Sequence, residues 1–377
     1  MEDIKLLKGN EAVALGAIRS GCDGYFGYPI TPQSEVLETL MELRPWATTA
    51  AADSATQNKN ATGMIVLQAE SEVASINMVY GGAACGKRVM TSSSSPGVSL
   101  MAEGISYLAG ARLPCLIVNV QRGGPGLGTI QPSQSDYFQA VKGTAHGDFQ
   151  MIVLAPASVQ EMYDHVFDGF DLAFKYRVPV MMLSDGTIGQ MMEKVVVSRQ
   201  RPRWTAEEIS AMSDDWATIG RHAGRGQNVI TSLELDPQLQ EDHNVRLQET
   251  YREIERNEVR YDETGTEDAE WVIVAFGSSA RIASEAVEMA RRDGLKVGML
   301  RPITLWPFPT QRISELAASG VKGFLVPELN AGQMIQDVRL AVEGRAPVKH
   351  FGRMGGMVFS PGDVYDALKA EISAVNL

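Results

Sequence analysis

Short apolar runs recur through the first half of the chain, each followed by a longer stretch of helical character. The runs Gly24 to Tyr28, Met64 to Leu67, Arg88 to Thr91, Leu116 to Val120, Ile152 to Leu154 and Val178 to Leu183 have the length of buried strands. Pro32 to Leu43, Ser71 to Ala84, Gly97 to Ala109, Ser133 to Val141 and Ser158 to Phe174 fit between them as helices. Strands joined by helices in this way predict an α/β fold, a doubly wound parallel sheet covered on both faces, over residues 1–197. The pattern then changes. Residues 198–266 are rich in charge, and in Asp236 to Glu258 only Leu239, Leu247, Tyr251 and Ile254 form a thin apolar stripe. That stretch reads as a connector with a solvated helix. A second, smaller α/β unit occupies 267–377, with strands in WVIVAFGSSA, KVGMLRPITLWPFP and KGFLVPELNAGQM and a last helix from Pro361 to Val375.

Composition narrows the function classes. Of 377 residues, 44% are hydrophobic and 21% charged, the balance of a soluble globular protein with two domains. A net charge of −12 leaves no basic stripe to neutralise phosphates, which argues against a nucleic-acid partner. The start, MEDIKLLKGNEAVALG, is neither a signal nor a transit peptide, and no apolar run is long enough to cross a membrane, so the expected location is the cytoplasm. Cys22, Cys85 and Cys115 are scattered and the five histidines form no paired motif. No metal site is expected in this chain, and an electron carrier would have to lie elsewhere.

Three loops leave strand-like runs at the same edge of the predicted sheet: GYPITPQSE (Gly27–Glu35), QAESEVASINMVY (Gln68–Tyr80) and QRGGPGLG (Gln121–Gly128). Ligands of open α/β sheets sit at the carboxyl ends of the strands, so convergence of the three suggests a site. Glu70 and Glu72 open a helix, where acids also serve as simple capping charges. Arg122, a cation at a strand exit, suits a carboxylate ligand or a structural salt bridge. The glycines around Gly124 and Gly126 let a backbone approach a ligand closely, or form a flexible loop. Ser95, in TSSSSPG, suits a helix start or a cofactor contact. His146, in KGTAHGD, suits proton transfer or a bond to Asp148. GGAACGK (Gly81–Lys87) has P-loop spacing, but Arg88 replaces the required hydroxyl and the segment ends a helix instead of opening one.

Taken together, GYPITPQSE, QAESEVASINMVYGGAACGKRVMTSSSSPGVSLMAEGISYLAGA, PCLIVNVQRGGPGLGTIQPSQSDYFQA, PVMMLSDGTIGQMME, LRPITLWPFP and VPELNAGQM resemble the alpha subunit of the 2-oxoacid:ferredoxin oxidoreductases. The resemblance implies that 1–197 is a pyrimidine-binding thiamine diphosphate domain and that 267–377 is similar to the transketolase C-terminal domain. It implies oxidative, coenzyme A-dependent decarboxylation of a 2-oxoacid to acyl-CoA and CO2, with reduction of ferredoxin. By residue-wise transfer, Glu72 is the carboxylic acid on the aminopyrimidine ring, with Glu70 as fallback. Thr31 and Arg122 bind the substrate carboxylate, the latter contributing on the order of 1.5–3 kcal/mol. Pro29, Ile30 and Ser95 contact the cofactor, and Pro29 and Pro32 restrict the backbone around Thr31.

The diphosphate-binding G-D-G motif of thiamine diphosphate enzymes is missing. Gly147-Asp148 and Gly362-Asp363 are the only G-D pairs, and neither has the third glycine. The resemblance therefore implies a beta subunit that supplies the diphosphate and Mg2+ site and a [4Fe-4S] cluster, with further gamma and ferredoxin-like delta chains. The loop PGLGTIQPSQSDYF resembles the branched-chain (2-oxoisovalerate) type, and its low polarity offers little to a second substrate carboxylate. A 2-oxoglutarate enzyme is the alternative. A nucleotide-binding, CoA ligase-like protein and a non-catalytic scaffold are the alternatives from other classes.

Overall fold

The computed structural model describes residues 3–46, 60–220 and 224–375. The chain opens with β1 (Ile4–Lys8) running straight into α1 (Gly9–Arg19), then β2 (Gly24–Gly27), α2 (Ser34–Leu43), β3 (Ile65–Gln68), α3 (Glu72–Ala84), β4 (Val89–Ser93), α4 (Ser95–Gly110) and β5 (Cys115–Gln121). It continues through α5 (Tyr137–Lys142), β6 (Ile152–Leu154), α6 (Val159–Tyr176) and β7 (Pro179–Asp185). Strands β2 to β7 pair in parallel in the order β6-β7-β5-β4-β2-β3. The apolar runs form these strands because β4 to β7 are buried on both faces, with α1, α2 and α6 on one side and α3 and α4 on the other. The connection leaving β2 goes to α2, and the one leaving β4 goes to α4 on the opposite face. Their adjacent carboxyl ends therefore form a crevice at a topological switch point.

The structure differs from the sequence expectation in several places. Only Tyr137–Lys142 of the expected helix Ser133 to Val141 is helical, because Ser133 to Asp136 spend their polar groups on contacts across the fold. After β7, α7 (Gly186–Gln190) leads to β8 (Met192–Val196), which pairs antiparallel with β1 as a separate ribbon. The stretch read as a connector contains α8 (Ala206–Ser213) and α9 (Pro237–Asn257). Leu247, Tyr251 and Ile254 of α9 are buried in the core beneath the first sheet, and only Leu239 of the stripe faces solvent. Trp204 stacks on Arg88 and Phe174, and Trp216 lies under the Arg177 guanidinium, so both rings are used within the chain.

The second sheet is built from β9 (Tyr261–Thr264), β10 (Trp271–Val274), α10 (Gly277–Arg292), β11 (Val297–Pro302), β12 (Thr304–Trp306), α11 (Thr310–Ala318), β13 (Gly323–Glu328), α12 (Met334–Val342), β14 (Val348–Gly352) and α13 (Pro361–Val375). Its order is β14-β13-β10-β11-β9, with β9 antiparallel to β11. β12 lies outside this sheet and pairs antiparallel with β6, extending the first sheet to seven strands. The second unit thus lends a strand to the first sheet, and the two share a continuous apolar core. Among the described residues no helix is long and apolar enough to cross a membrane.

Candidate active site

The turn after β2 is clamped by buried amides. Gln33 donates from Nε2 to the Tyr28 carbonyl (3.1 Å) and accepts at Oε1 from Ser92 Oγ (2.6 Å), which in turn accepts from the Tyr25 hydroxyl (2.7 Å). Asn10 Nδ2 and Gln190 Nε2 both donate to the Pro32 carbonyl, at 2.7 and 3.0 Å. The Thr31–Pro32 peptide is cis. This bracing leaves Pro29 and Thr31 exposed at the sheet's carboxyl edge, with Ile30 half-buried between them.

Glu72 is the first residue of α3, behind an N-cap in which Ser71 Oγ accepts from the Ala74 N–H (3.2 Å). Its side chain is 5% exposed, and no group among the described residues hydrogen-bonds its carboxylate. Glu70, the fallback acid, is exposed. Gly97, in the first turn of α4, faces Glu72 so closely that a Cβ there would lie 2.7 Å from Oε1 and 2.0 Å from Ser93 Oγ. The hydroxyls of Thr91, Ser93 and Ser94 are buried with no partner among the described residues. A buried carboxylate near the unpaired Ser93 hydroxyl is costly in a chain standing alone, which suits a position that meets a polar ligand.

Arg122, just past β5, is 8% exposed. It donates from Nη1 to the Thr31 carbonyl (2.8 Å), so the YPITP turn and the QRGG exit meet as the sequence suggested. Among the described residues no carboxylate lies within 4.0 Å of its guanidinium, and its Nε is buried without a partner. Among the described residues the structural salt bridge that the sequence left open is therefore not formed. The Thr31 hydroxyl likewise has no partner among the described residues, and the backbone carbonyl of the same residue is the one that meets the cation. Beyond Arg122 the glycine loop curls back through Gly123 N–H to Gln131 O (3.0 Å) and Thr129 N–H to Gly123 O (2.8 Å). Gly128 adopts φ +55°, and a Cβ there would collide with the Gly123 carbonyl. Gly124 is half-buried and Gly126 exposed on the same rim, where Leu127 is 80% exposed.

The structure engages one expected contact within the chain and places another away from the other site residues. The Ser95 hydroxyl donates to Asp136 Oδ2 (2.6 Å) and accepts from the Arg122 N–H (3.0 Å), while its own N–H donates to Asn119 Oδ1 (3.1 Å). His146 lies at the opposite edge of the sheet. Its loop precedes β6, so it sits at the amino ends of the strands, where Ser106 Oγ donates to its carbonyl and Tyr107 meets its ring edge-on. Ser106 is eleven residues along α4 from Ser95, roughly 16 Å at helical rise. GGAACGK closes α3, and a Cβ at Gly82 would strike Val89, so its small residues serve close packing. Sequence reasoning missed Asp136, Asn119 and Gly97, which position the residues it did find. Among the described residues no cluster of His, Cys, Asp or Glu has a metal-binding arrangement.

Comparison with known proteins bears directly on this geometry. Residues 15–255 match the family "Pyruvate flavodoxin/ferredoxin oxidoreductase, thiamine diP-bdg", and 269–364 match "Pyruvate:ferredoxin oxidoreductase core domain II". The chain is 48% identical to the ketoisovalerate oxidoreductase subunit VorB of Methanothermobacter thermautotrophicus, over 97% of each chain. It is 35% identical to the 2-oxoglutarate synthase subunit KorA of the same organism, over 98% of this chain and 99% of that one. Among solved structures, a 2-oxoglutarate:ferredoxin oxidoreductase from Magnetococcus marinus with 2-oxoglutarate, coenzyme A and succinyl-CoA bound superimposes with a TM-score of 0.83 at 29% identity, covering 98% of this chain and 66% of that chain.

Proposed function

The chain belongs to the 2-oxoacid:ferredoxin oxidoreductases, and from that premise we propose that it is the alpha subunit of a branched-chain 2-oxoacid enzyme, carrying the aminopyrimidine half of a thiamine diphosphate site. The reaction consumes a 2-oxoacid anion, coenzyme A and oxidised ferredoxin, and yields acyl-CoA, CO2, the proton of the coenzyme A thiol and two electrons carried by reduced ferredoxin. Thiamine diphosphate, when bound, supplies the carbon nucleophile and electron sink for decarboxylation. Glu72 hydrogen-bonds the pyrimidine ring nitrogen and sets where its proton resides, a role that needs a carboxyl group held from water and free of other partners. Pro29 and Ile30 form the wall of the same crevice. Arg122 and the Thr31 hydroxyl take the carboxylate of the substrate, with the guanidinium making the charge-assisted contacts.

The observation that carries this reading is the pairing of absences. A buried carboxylate and a buried guanidinium both lie at the carboxyl edge of the first sheet, the carboxylate with no hydrogen-bonding partner and the guanidinium with none but the Thr31 carbonyl among the described residues. The high identity to the ketoisovalerate subunit favours a branched-chain substrate. So does a glycine loop whose outermost side chain is Leu127. The rim is also apolar and exposed: Leu127 and Ile130 stand beside Met354 and Met357, where Gly356 packs on Thr129 and Gln131. Such a surface supports a partner over the crevice. In this reading a beta subunit brings the diphosphate, Mg2+ and [4Fe-4S] half, accompanied by gamma and ferredoxin-like delta subunits, in the cytoplasm. Residues 1–197 hold the pyrimidine site, 198–266 connect, and 267–377 form the transketolase C-terminal-like unit.

The test is turnover by the co-purified complex with coenzyme A, thiamine diphosphate and a viologen acceptor across a panel of 2-oxoacids. Preference for 2-oxoisovalerate is expected, and Glu72→Gln is expected to lower kcat by about 10³-fold while the complex still assembles. Preference for 2-oxoglutarate would overturn the substrate assignment, and an active Glu72→Gln complex would overturn the role of Glu72.

A further inference from the structure

Arg122 is held at both ends. Its guanidinium is tied to the Thr31 carbonyl, and its backbone N–H donates to Ser95 Oγ at 3.0 Å. That hydroxyl has one proton to give, and it gives it to Asp136 Oδ2 at 2.6 Å. The same carboxylate oxygen accepts from Asn119 Nδ2 at 2.9 Å, and the Asp136 N–H donates to Gln121 Oε1 at 3.0 Å. Asp136 is therefore a buried acceptor around which the end of β5 and the start of α4 are ordered. No cation neutralises it among the described residues. Burial pushes its carboxyl upward, and the bonds from Ser95 and Asn119 oppose that rise.

Asp136 is itself fixed by the second sheet. Two residues earlier, Gln134 donates from its N–H to the Leu329 carbonyl (3.0 Å) and from Nε2 to the Phe276 carbonyl (2.8 Å), and its own carbonyl accepts from Asn330 Nδ2 (2.7 Å). Each contact reaches the carboxyl end of a strand in the other unit. Hydrogen-bonded polar networks of this kind rigidify what they hold.

We infer that Asp136 is a positioning residue for the recognition of the substrate carboxylate: it sets the place of Arg122 through the Ser95 hydroxyl, and the second unit anchors it through Gln134. This rests on the reading of Arg122 as the carboxylate site. Asp136 touches no reacting atom, so its effect falls on the affinity for the 2-oxoacid and not on coenzyme A. A group that only held the fold together would move the stability of the complex and both Michaelis constants at once.

The test compares Asp136→Ala, Ser95→Ala and Arg122→Ala in the co-purified complex. Steady-state kinetics are read against the 2-oxoacid and coenzyme A separately, and thermal melting is recorded for each. Asp136→Ala is expected to raise KM for the 2-oxoacid by about tenfold, the lower end of what losing a charge-assisted hydrogen bond costs, with KM for coenzyme A changed by less than about twofold. Ser95→Ala breaks the same relay without removing a charge and is expected to shift the same constant in the same direction. It carries the test if the Asp136→Ala complex is not obtained. An Arg122→Ala complex with raised KM beside Asp136→Ala and Ser95→Ala complexes with parental KM would overturn this inference alone. A parental KM in Arg122→Ala would remove the carboxylate assignment itself. Equal rises for both substrates with early melting would show a merely structural role.

Discussion

Gly97→Ala is the most searching perturbation of the site, because its two consequences have opposite signs. In the first turn of α4 an alanine improves helix propensity by up to about 1 kcal/mol. The added methyl, however, lies 2.7 Å from Glu72 Oε1 and 2.0 Å from Ser93 Oγ. To return to contact at about 3.4 Å, the carboxylate oxygen must retreat by about 0.7 Å and the hydroxyl by about 1.4 Å, and overpacking of this kind costs about 1–3 kcal/mol. The net effect on stability is therefore small, a loss of no more than about 2 kcal/mol. Function is far less tolerant, since misplacing a working group by about 1 Å lowers rates on the order of 10²-fold. The expected outcome is a complex that assembles and melts within a few degrees of the parent, about 2–4 °C, yet has lost on the order of 10²-fold in kcat. Turnover with a viologen acceptor and differential scanning fluorimetry on the same preparation give both readings. A Gly97→Ala complex with kcat within about threefold of the parent would refute the claim that Glu72 works from its observed position.

Two further outcomes follow from packing and charge. Ile254→Ala, on the buried stripe of α9, is expected to cost about 2–5 kcal/mol, read as a lowered urea midpoint; a change below about 0.5 kcal/mol would contradict the helix's place in the core. Burial alone would raise the Asp168 carboxyl, but His165 and the Arg199 guanidinium at 2.9 Å hold it down at about 2. A depressed carboxyl stabilises the fold fully above its unfolded value near 3.8 and loses that contribution as pH falls toward 2. Parent and Asp168→Asn should thus differ by about 2 kcal/mol at pH 7 and converge near pH 2, and a gap that persists at pH 2 would refute the linkage.

Strands β4 to β7 of the first sheet were legible because they are buried on both faces and read as short, largely apolar runs, as in Cys115–Gln121 and Pro179–Asp185. The features missed lack that signal. α1 is buried on nearly every face and built of small residues, so no polar stripe betrays its period. β12 has three residues and becomes a strand only because β6 offers an open edge. α9 looked solvated because its three buried side chains are outnumbered by charges around them. The placement of Glu72, Thr31 and Arg122 at one edge of the first sheet was legible because each follows the carboxyl end of a strand. The same rule would have set His146 aside, since its loop enters β6. The use of Ser95 was not legible, because it depends on an acid 41 positions away that only tertiary folding brings to 2.6 Å.

The placement of charge in the crevice also explains why the chain keeps its two site residues apart. If Glu72 and Arg122 had been set against each other, they would have formed a buried ion pair that satisfied both without a ligand. Instead Glu72 is walled by Gly97 and Ser93, while Arg122 is drawn to the Thr31 carbonyl and fixed behind by Ser95. A neutral carbonyl orients the guanidinium without neutralising it, so the cation keeps its attraction for an incoming carboxylate. Each unpaired group raises the free energy of the empty site, and that cost is offset only when a ligand arrives. In the proposed reading two ligands meet that requirement, a cofactor that presents a ring nitrogen to the acid and a substrate that presents a carboxylate to the cation. This requirement does not extend to the rim, where Leu127, Ile130, Met354 and Met357 present apolar surface. Once a partner covers that surface, a second substrate carboxylate reaching it would find no charged group among these four side chains and would be desolvated without compensation, which favours a branched-chain 2-oxoacid over a dicarboxylic one.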